Sequence, residues 1–182
     1  MNLDALSIGE HVPESFNVVI EIPAKTPGIK FELDKASGCV MVDRFMATPM
    51  HYPCDYGFIP HTLSEDGDPV DVLVIAPYPL QPGVVVHCRP LGVLPMEDEA
   101  GMDAKLIAVP VDKLTPIYGK IKGVEDLPPL LLQQIEYFFR HYKDLEPGKW
   151  VKIHTWKGKE AACQEIEDSI RRFAKSREKP HF

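Results

Sequence analysis

The stretch DGDPVDVL places three aspartates, Asp66, Asp68 and Asp71, within six residues at the start of an apolar run. Carboxylates this close together repel one another unless they are open to water or share a cation. The intervening glycine and proline oppose regular strand geometry, so we expect the chain to turn here and the three side chains to converge. The segment fails the EF-hand pattern, because Asp71 stands where that loop requires glycine.

A second acidic stretch, MEDEAGMDAK, supplies Asp98, Glu99 and Asp103 and is followed at once by Lys105. Carboxylate oxygens without histidine or cysteine at ligand spacing favour Mg²⁺ or Mn²⁺ over zinc or copper. Alone, each acidic stretch is more often a solvated loop. Together, beside apolar strands, they predict a metal site.

Charged residues also interrupt the strand patterns. Period-two alternation in IKFELD places Lys30 and Glu32 on one face, and Arg44 closes the run CVMVDRF. Glu21 is flanked by β-branched residues that favour burial, and a buried carboxylate needs a partner or a metal. Taken singly, such a residue more often lies on the solvated face of a half-exposed strand, and it is their number that favours a shared site.

Cationic and hydroxyl donors suited to phosphate oxygens accompany the acids: Lys30, Arg44 and Lys105, with Tyr142 and Lys143 at a predicted helix end. Acids for a divalent cation and bases for phosphate in one cavity predict phosphoryl transfer. The sequence has neither a Walker-type P-loop nor a nucleophile elbow, and Cys54 is interpreted as a packing residue. Water is therefore the simplest acceptor.

The elements that must position these residues are mostly strands. Short branched runs are predicted as strands at 16–23, 29–34, 39–45, 70–76, 84–94 and 104–111, with another at 149–156. Apolar stripes at helical spacing predict helices over 128–145 and 160–176. Strands first and helices afterwards indicate an α+β fold, a small closed β-barrel with flanking helices.

Size and composition limit the classes of protein. A chain of 182 residues is predicted to form one domain, 1–182. The net charge of −7 and the absence of a basic run argue against nucleic-acid binding. Four cysteines without CxxC spacing favour a reduced, cytoplasmic setting. No apolar run approaches the roughly 20 residues of a membrane span, so no membrane partner is expected.

The ordered motifs NVVIEIP, IKFELD, DRF, HYPCDYGFIPHTLSEDGDPVDVLV, PLGVL, DEAGMDAKLIAVP, HYKDLE and KWVKI resemble the soluble inorganic pyrophosphatases of family I. The resemblance covers most of the chain. It implies a five-stranded OB-like barrel flanked by helices and the assembly of the compact bacterial members, a homohexamer. It also implies Mg²⁺-dependent hydrolysis of pyrophosphate to two orthophosphates by a metal-bridging hydroxide, with several ions per site and Mn²⁺ as a possible substitute.

The resemblance also implies roles for individual residues. Asp66, Asp71 and Asp103 match the principal Mg²⁺ ligands, Asp71 as the bridging one, and Asp98 matches a ligand of a substrate-borne ion. Asp68 matches the carboxylate that accepts a proton from the attacking water. The pyrophosphate-contacting set is Lys30, Arg44, Tyr56, Lys105, Tyr142 and Lys143. Glu21 and Glu32 match supporting acids of the same cavity.

Three other functions remain open at this point. An OB-like barrel could bind nucleic acid, although the acid excess opposes this. A non-catalytic cation-binding protein would explain the acids but leaves Lys30, Arg44 and Lys143 without a role. A nucleotide phosphohydrolase could use the same site chemistry on a longer polyphosphate.

Overall fold

The structure, a computed structural model, describes residues 2–34 and 36–176. The strands are β1 (Phe16–Ile22), β2 (Ile29–Asp34), β3 (Cys39–Phe45), β4 (Asp55–Phe58), β5 (Asp71–Val74), β6 (Val85–Asp98), β7 (Gly101–Pro110) and β8 (Val151–Ile153). The helices are α1 (Pro129–His141) and α2 (Lys159–Lys175), and short 3₁₀ turns lie at Pro116–Tyr118 and Val124–Asp126. No helix in this part of the chain is both long and apolar enough to cross a membrane.

Five strands close into a barrel. Neighbours pair in the order β1, β4, β5, β7, β6, and β6 pairs again with β1 to complete the ring. Strand β8 extends the sheet at the far end of β6, while β2 and β3 form a separate antiparallel hairpin. This architecture confirms the predicted α+β fold, a five-stranded barrel with flanking helices.

Alternate residues of the barrel strands enter two different cores. On β5, Val72 and Val74 join the cluster that includes Ala162 and Ile166 of α2, whereas Leu73 joins the cluster of α1. Successive side chains point to opposite faces, so both faces of this strand are buried. Burial on both faces explains why the segment is a continuous apolar run rather than an alternating one.

Strand β4 is not among the predicted strands, because its four residues carry a glycine and follow a proline and a cysteine. Gly57 pairs with Ile20 of β1, and a Cβ there would lie 1.9 Å from the carbonyl oxygen of Val19. Only glycine permits this close approach of the two backbones. The residue that weakens the sequence pattern is therefore the one that allows β4 to pair.

Strands β6 and β7 extend further than the pattern predicts, and they meet in a hairpin around Glu99 and Ala100. Asp98 is the last residue of β6, and Asp103 is the third residue of β7. An acidic stretch of this composition is, taken alone, more often a solvated loop. Strand geometry instead holds these two carboxylates on a paired backbone.

Candidate functional site

Lys105 lies at the centre of the site. It occupies β7 opposite Asp71 of β5, and its side chain is almost fully buried, with 3% of the residue exposed. The ammonium nitrogen lies 2.5 Å from Asp71 Oδ2 and 2.5 Å from Asp103 Oδ1, and it donates to the Tyr56 hydroxyl at 3.2 Å. The barrel therefore brings together four of the residues expected in the site.

The charges around Lys105 do not balance. Burial alone would lower the pKa of this ammonium, but Asp71 and Asp103 outweigh burial and raise its pKa well above the usual range. Burial raises the pKa of Asp103, although Lys105 partly opposes this effect. The buried Asp103 and the partly buried Asp71 share one cation, so the cluster keeps a negative charge.

Asp66 and Asp68 lie in the turn before β5, as expected from the glycine and proline there. The backbone N–H of Asp68 donates to Asp66 Oδ1 at 3.1 Å, and the Ser64 N–H donates to the Asp68 carbonyl at 2.7 Å. Burial raises the pKa of Asp66 to about 6, with contributions from the charges of Asp103 and Asp71. Asp66 therefore shares one electrostatic environment with Asp71 and Asp103.

A cavity of about 140 Å³ opens beside this cluster. Its lining residues are Glu21, Lys30, Glu32, Leu33, Tyr56, Phe58, Asp68, Pro69 and Asp71. Glu21 Oε1 accepts a hydrogen bond from the Leu33 N–H at 2.8 Å. Burial nevertheless raises the pKa of Glu21 to about 7, and the Asp71 charge contributes to the increase. The charge of Lys30 and the hydrogen bond from Leu33 oppose this increase only in part.

The hairpin of β2 and β3 contributes two cations that face each other. Lys30 and Arg44 are register partners. Lys30 is ion-paired with Glu32, which confirms that the two share a face, and its ammonium also lies 3.2 Å from Asp43 Oδ2. Asp43 is also 3.7 Å from Arg44. Sequence reasoning missed Asp43, although its position beside Arg44 was a usable signal.

The end of α1 supplies the remaining donors. Tyr142 is the C-cap residue, and the Lys143 ammonium donates to Asp98 Oδ2 at 2.7 Å. This contact, against the opposing effect of burial, lowers the pKa of Asp98. Glu99, 3.7 Å from Lys143, was not assigned a role from the sequence. The structure thus brings Asp98 to a cation of the expected substrate-contacting set.

The chemistry of the donors can be tested against a divalent cation. Within residues 2–34 and 36–176, no three acidic, histidine or cysteine side chains form a ready-made metal cage. The Lys105 ammonium lies between Asp71 and Asp103. Burial and neighbouring acids raise the pKa of Asp66 and Glu21, so a nearby cation would stabilise their charged forms. Carboxylate oxygens with surplus charge suit Mg²⁺ or Mn²⁺, so the residues fit such an ion.

Two other features are less suited to this chemistry. Burial raises the pKa of Cys54 to about 12, so its thiol is a packing group, as predicted, rather than a nucleophile. A larger cavity of about 520 Å³ lies beside Cys54 and Tyr52. Its lining is mainly apolar and aromatic and holds only Lys25 and Asp55 as cation and acid.

Fold and site together define a class of protein: a small closed β-barrel that carries interleaved carboxylates and cations, the side chains typical of an enzyme acting on phosphoryl compounds. Comparison with known proteins gives the family. The model of the inorganic pyrophosphatase family matches residues 18–174. The chain therefore belongs to the inorganic pyrophosphatase family, which confirms the resemblance and the hydrolase class.

Individual relatives agree over nearly the whole chain. The inorganic pyrophosphatase of Salmonella typhimurium is 61% identical over 175 residues, which cover 96% of this chain and 99% of the relative. The solved structure of the Coxiella burnetii inorganic pyrophosphatase has a TM-score of 0.89 and 54% identity, covering 92% of this chain and 99% of that one. The Thermus thermophilus enzyme has a TM-score of 0.90 and 44% identity, covering 96% and 99%.

Proposed function

We propose that this chain hydrolyses inorganic pyrophosphate to two orthophosphates with Mg²⁺ as its cofactor. The observation that carries the proposal is the interleaving of carboxylates and cations around Lys105, in a chain that belongs to the pyrophosphatase family. Pyrophosphate is a small and highly charged anion, and its hydrolysis requires both a held water and compensation of phosphate charge.

The cations and hydroxyls would bind the substrate. Lys30 and Arg44 approach from the hairpin of β2 and β3, and Lys143 approaches from the end of α1. Tyr56 and Tyr142, with Lys105, complete the donor set. Ammonium and guanidinium groups bind phosphate oxygens through charge-assisted hydrogen bonds, and they offset the charge that develops on the leaving phosphate.

Asp66, Asp71 and Asp103 would hold Mg²⁺, with Asp98 beside a further, substrate-borne ion. When bound, Mg²⁺ lowers the pKa of coordinated water and neutralises phosphate charge. Lys105 now occupies the space between Asp71 and Asp103, so its ammonium must give up at least one of these contacts when an ion binds there. It is then free to meet the substrate.

Asp68 would accept the proton of the attacking water. Its side chain lines the cavity next to Asp71, while its backbone is held by the turn that carries Asp66. A carboxylate with a reference pKa of about 3.9 is a weak base towards free water, so it acts on a water whose proton is already loosened. Glu21 and Glu32 support the charge balance of the same cavity.

The test is the release of orthophosphate from pyrophosphate and from ATP, with Mg²⁺ and with a chelator. We expect rapid release from pyrophosphate only with Mg²⁺, and much slower release from ATP, because a cavity of about 140 Å³ has no room for a nucleoside. Equal rates on ATP would favour a nucleotide phosphohydrolase. Turnover that persists in the chelator would contradict the role of the metal. Replacing Mg²⁺ with Mn²⁺ tests whether Mn²⁺ can substitute as the cofactor.

We also propose the homohexamer of the compact bacterial members as the assembly of this chain. Light scattering coupled to size-exclusion chromatography measures it, and a monomer mass of 20.5 kDa would contradict it. The single domain over residues 1–182 and the cytoplasmic setting stay predictions.

A further inference from the structure

Glu146 connects two parts of the proposed substrate site. It lies in the turn that follows α1, and its Oε2 atom is 3.1 Å from Arg44 Nη1 on β3. Its side chain is 17% exposed and that of Arg44 is 36% exposed, so the pair is half-buried. Glu146 is 102 positions from Arg44 in sequence, and only the fold brings the two together.

The backbone of Glu146 is tied to a second cation of the site. Its N–H donates to the carbonyl oxygen of Lys143 at 2.9 Å, and its own carbonyl accepts from the Lys149 N–H at 3.2 Å. The turn is therefore fixed relative to Lys143. Glu146 therefore links the Arg44 guanidinium to the backbone of Lys143.

The hairpin that carries Arg44 has few other restraints at this position. Most of β3 is exposed, and the neighbouring Phe45 is 74% exposed, so apolar packing does little to fix the strand. One further contact to the α1 end is a hydrogen bond of 3.4 Å from the Thr48 hydroxyl to the carbonyl of Tyr142. Asp43, on the same strand, and Glu146, beyond α1, are thus the two acids that restrain the Arg44 side chain, and Glu146 makes the closer contact.

The contact leaves donors of Arg44 available. A guanidinium has five N–H groups in a planar fork, and Glu146 engages the Nη1 side. The buried Nε atom makes no hydrogen bond among the described residues, and the Asp43 carboxylate lies 3.7 Å from it. Because Glu146 engages Nη1, the Nη2 end of the fork can meet a phosphate oxygen.

We propose that Glu146 is a positioning residue, which orients the Arg44 guanidinium relative to Lys143 so that both cations engage one pyrophosphate. The inference rests on the proposed function and adds a residue to that same site. Glu146 has no contact with the reacting atoms in this scheme. Its effect on turnover passes through Arg44.

A double-mutant cycle tests the inference. Glu146→Ala and Arg44→Ala are made singly and together, and kcat and KM for pyrophosphate are measured with saturating Mg²⁺. We expect Glu146→Ala to lower kcat/KM about tenfold in the unaltered chain, and less than twofold when Arg44 is already alanine, because coupled residues lose one interaction only once. Equal losses in both backgrounds would overturn the inference.

Further variants separate positioning from folding. Glu146→Gln keeps the shape and one oxygen acceptor, so we expect it to retain more kcat/KM than Glu146→Ala, with an unchanged melting temperature. Glu165→Ala removes a comparable half-buried carboxylate from Arg172 on α2 and should leave kcat/KM unchanged. The role would be contradicted if Glu146→Gln and Glu146→Ala lost kcat/KM equally and both losses were accompanied by a lower melting temperature. If the unaltered chain releases no orthophosphate from pyrophosphate, the proposed function fails and this inference fails with it.

Discussion

Asp71 and Lys105 are register partners on the adjacent parallel strands β5 and β7, and their charged atoms lie 2.5 Å apart in a buried position. Asp103 reaches the same ammonium from two residues earlier on β7, since residues two apart in a strand share a face. A cation is therefore built into the acidic cluster. It keeps the carboxylates together when no other cation is present.

Removing this cation should destabilise the metal-free protein. Lys105→Met leaves the partly buried Asp71 and the buried Asp103 beside each other without this cation, and loss of one partner of a buried pair costs about 3 kcal/mol. We expect the free energy of unfolding, measured by urea titration in a chelator, to fall by about that amount. Added Mg²⁺ should restore part of the loss.

The matched control is Lys152→Met, which breaks a surface pair with Glu97 in which the lysine side chain is 61% exposed. Such pairs contribute about 0–1 kcal/mol, so its free energy of unfolding should barely change. An equal effect of the two substitutions would show that the buried pairing of Lys105 is unimportant.

Asp68→Asn should reduce turnover without weakening the metal site. The amide cannot accept a proton from water, and loss of a general base lowers kcat by about 10²-fold or more. Steady-state hydrolysis of pyrophosphate measures kcat, and calorimetric titration measures Mg²⁺ affinity. Normal kcat in this variant would refute the assignment of Asp68 as the base.

Asp71→Asn should instead weaken Mg²⁺ binding itself, because the proposed ligand would lose its charge. The same calorimetric titration provides the measurement, with Asp68→Asn as the matched control three residues away. An unchanged Mg²⁺ affinity would count against Asp71 as a ligand. The readout does not depend on turnover.

The raised pKa of Glu21 predicts that the free energy of unfolding of the metal-free protein depends on pH. Its pKa is about 7 in the folded chain, against 4.5 for the free carboxyl group. The folded state therefore holds the proton more tightly, so the stabilising contribution is complete below pH 4.5 and is lost as pH rises towards 7. The full difference is about 3 kcal/mol.

Glu21→Gln removes this titration. In a chelator, the variant and the unaltered chain should have similar free energies of unfolding at pH 5, and the variant should become the more stable of the two by pH 8. Urea titrations at intervals between these values measure the difference. A difference that is independent of pH would contradict the raised pKa of Glu21.

The sequence alone was enough for the closed α+β barrel and for the family. Period-two and helical apolar patterns predicted most of the strands and helices, because the buried face of each element requires apolar residues at its own regular spacing. It was also enough for the grouping of Lys30 with Glu32, since strand alternation fixes which side chains share a face. These patterns did not predict strand β4. Gly57 is required there by the close approach of the β1 backbone, and a local sequence pattern cannot show a contact with another strand.

The tertiary structure decided how the charges meet. The placement of Lys105 between Asp71 and Asp103, the Lys143 contact to Asp98 and the Glu146 contact to Arg44 all depend on register, on barrel closure and on the turn after α1. The pKa values of Glu21 and Asp66 depend on burial by residues far away in sequence. Local sequence determines residue type and face, whereas charge pairing and desolvation are set by distances across the fold.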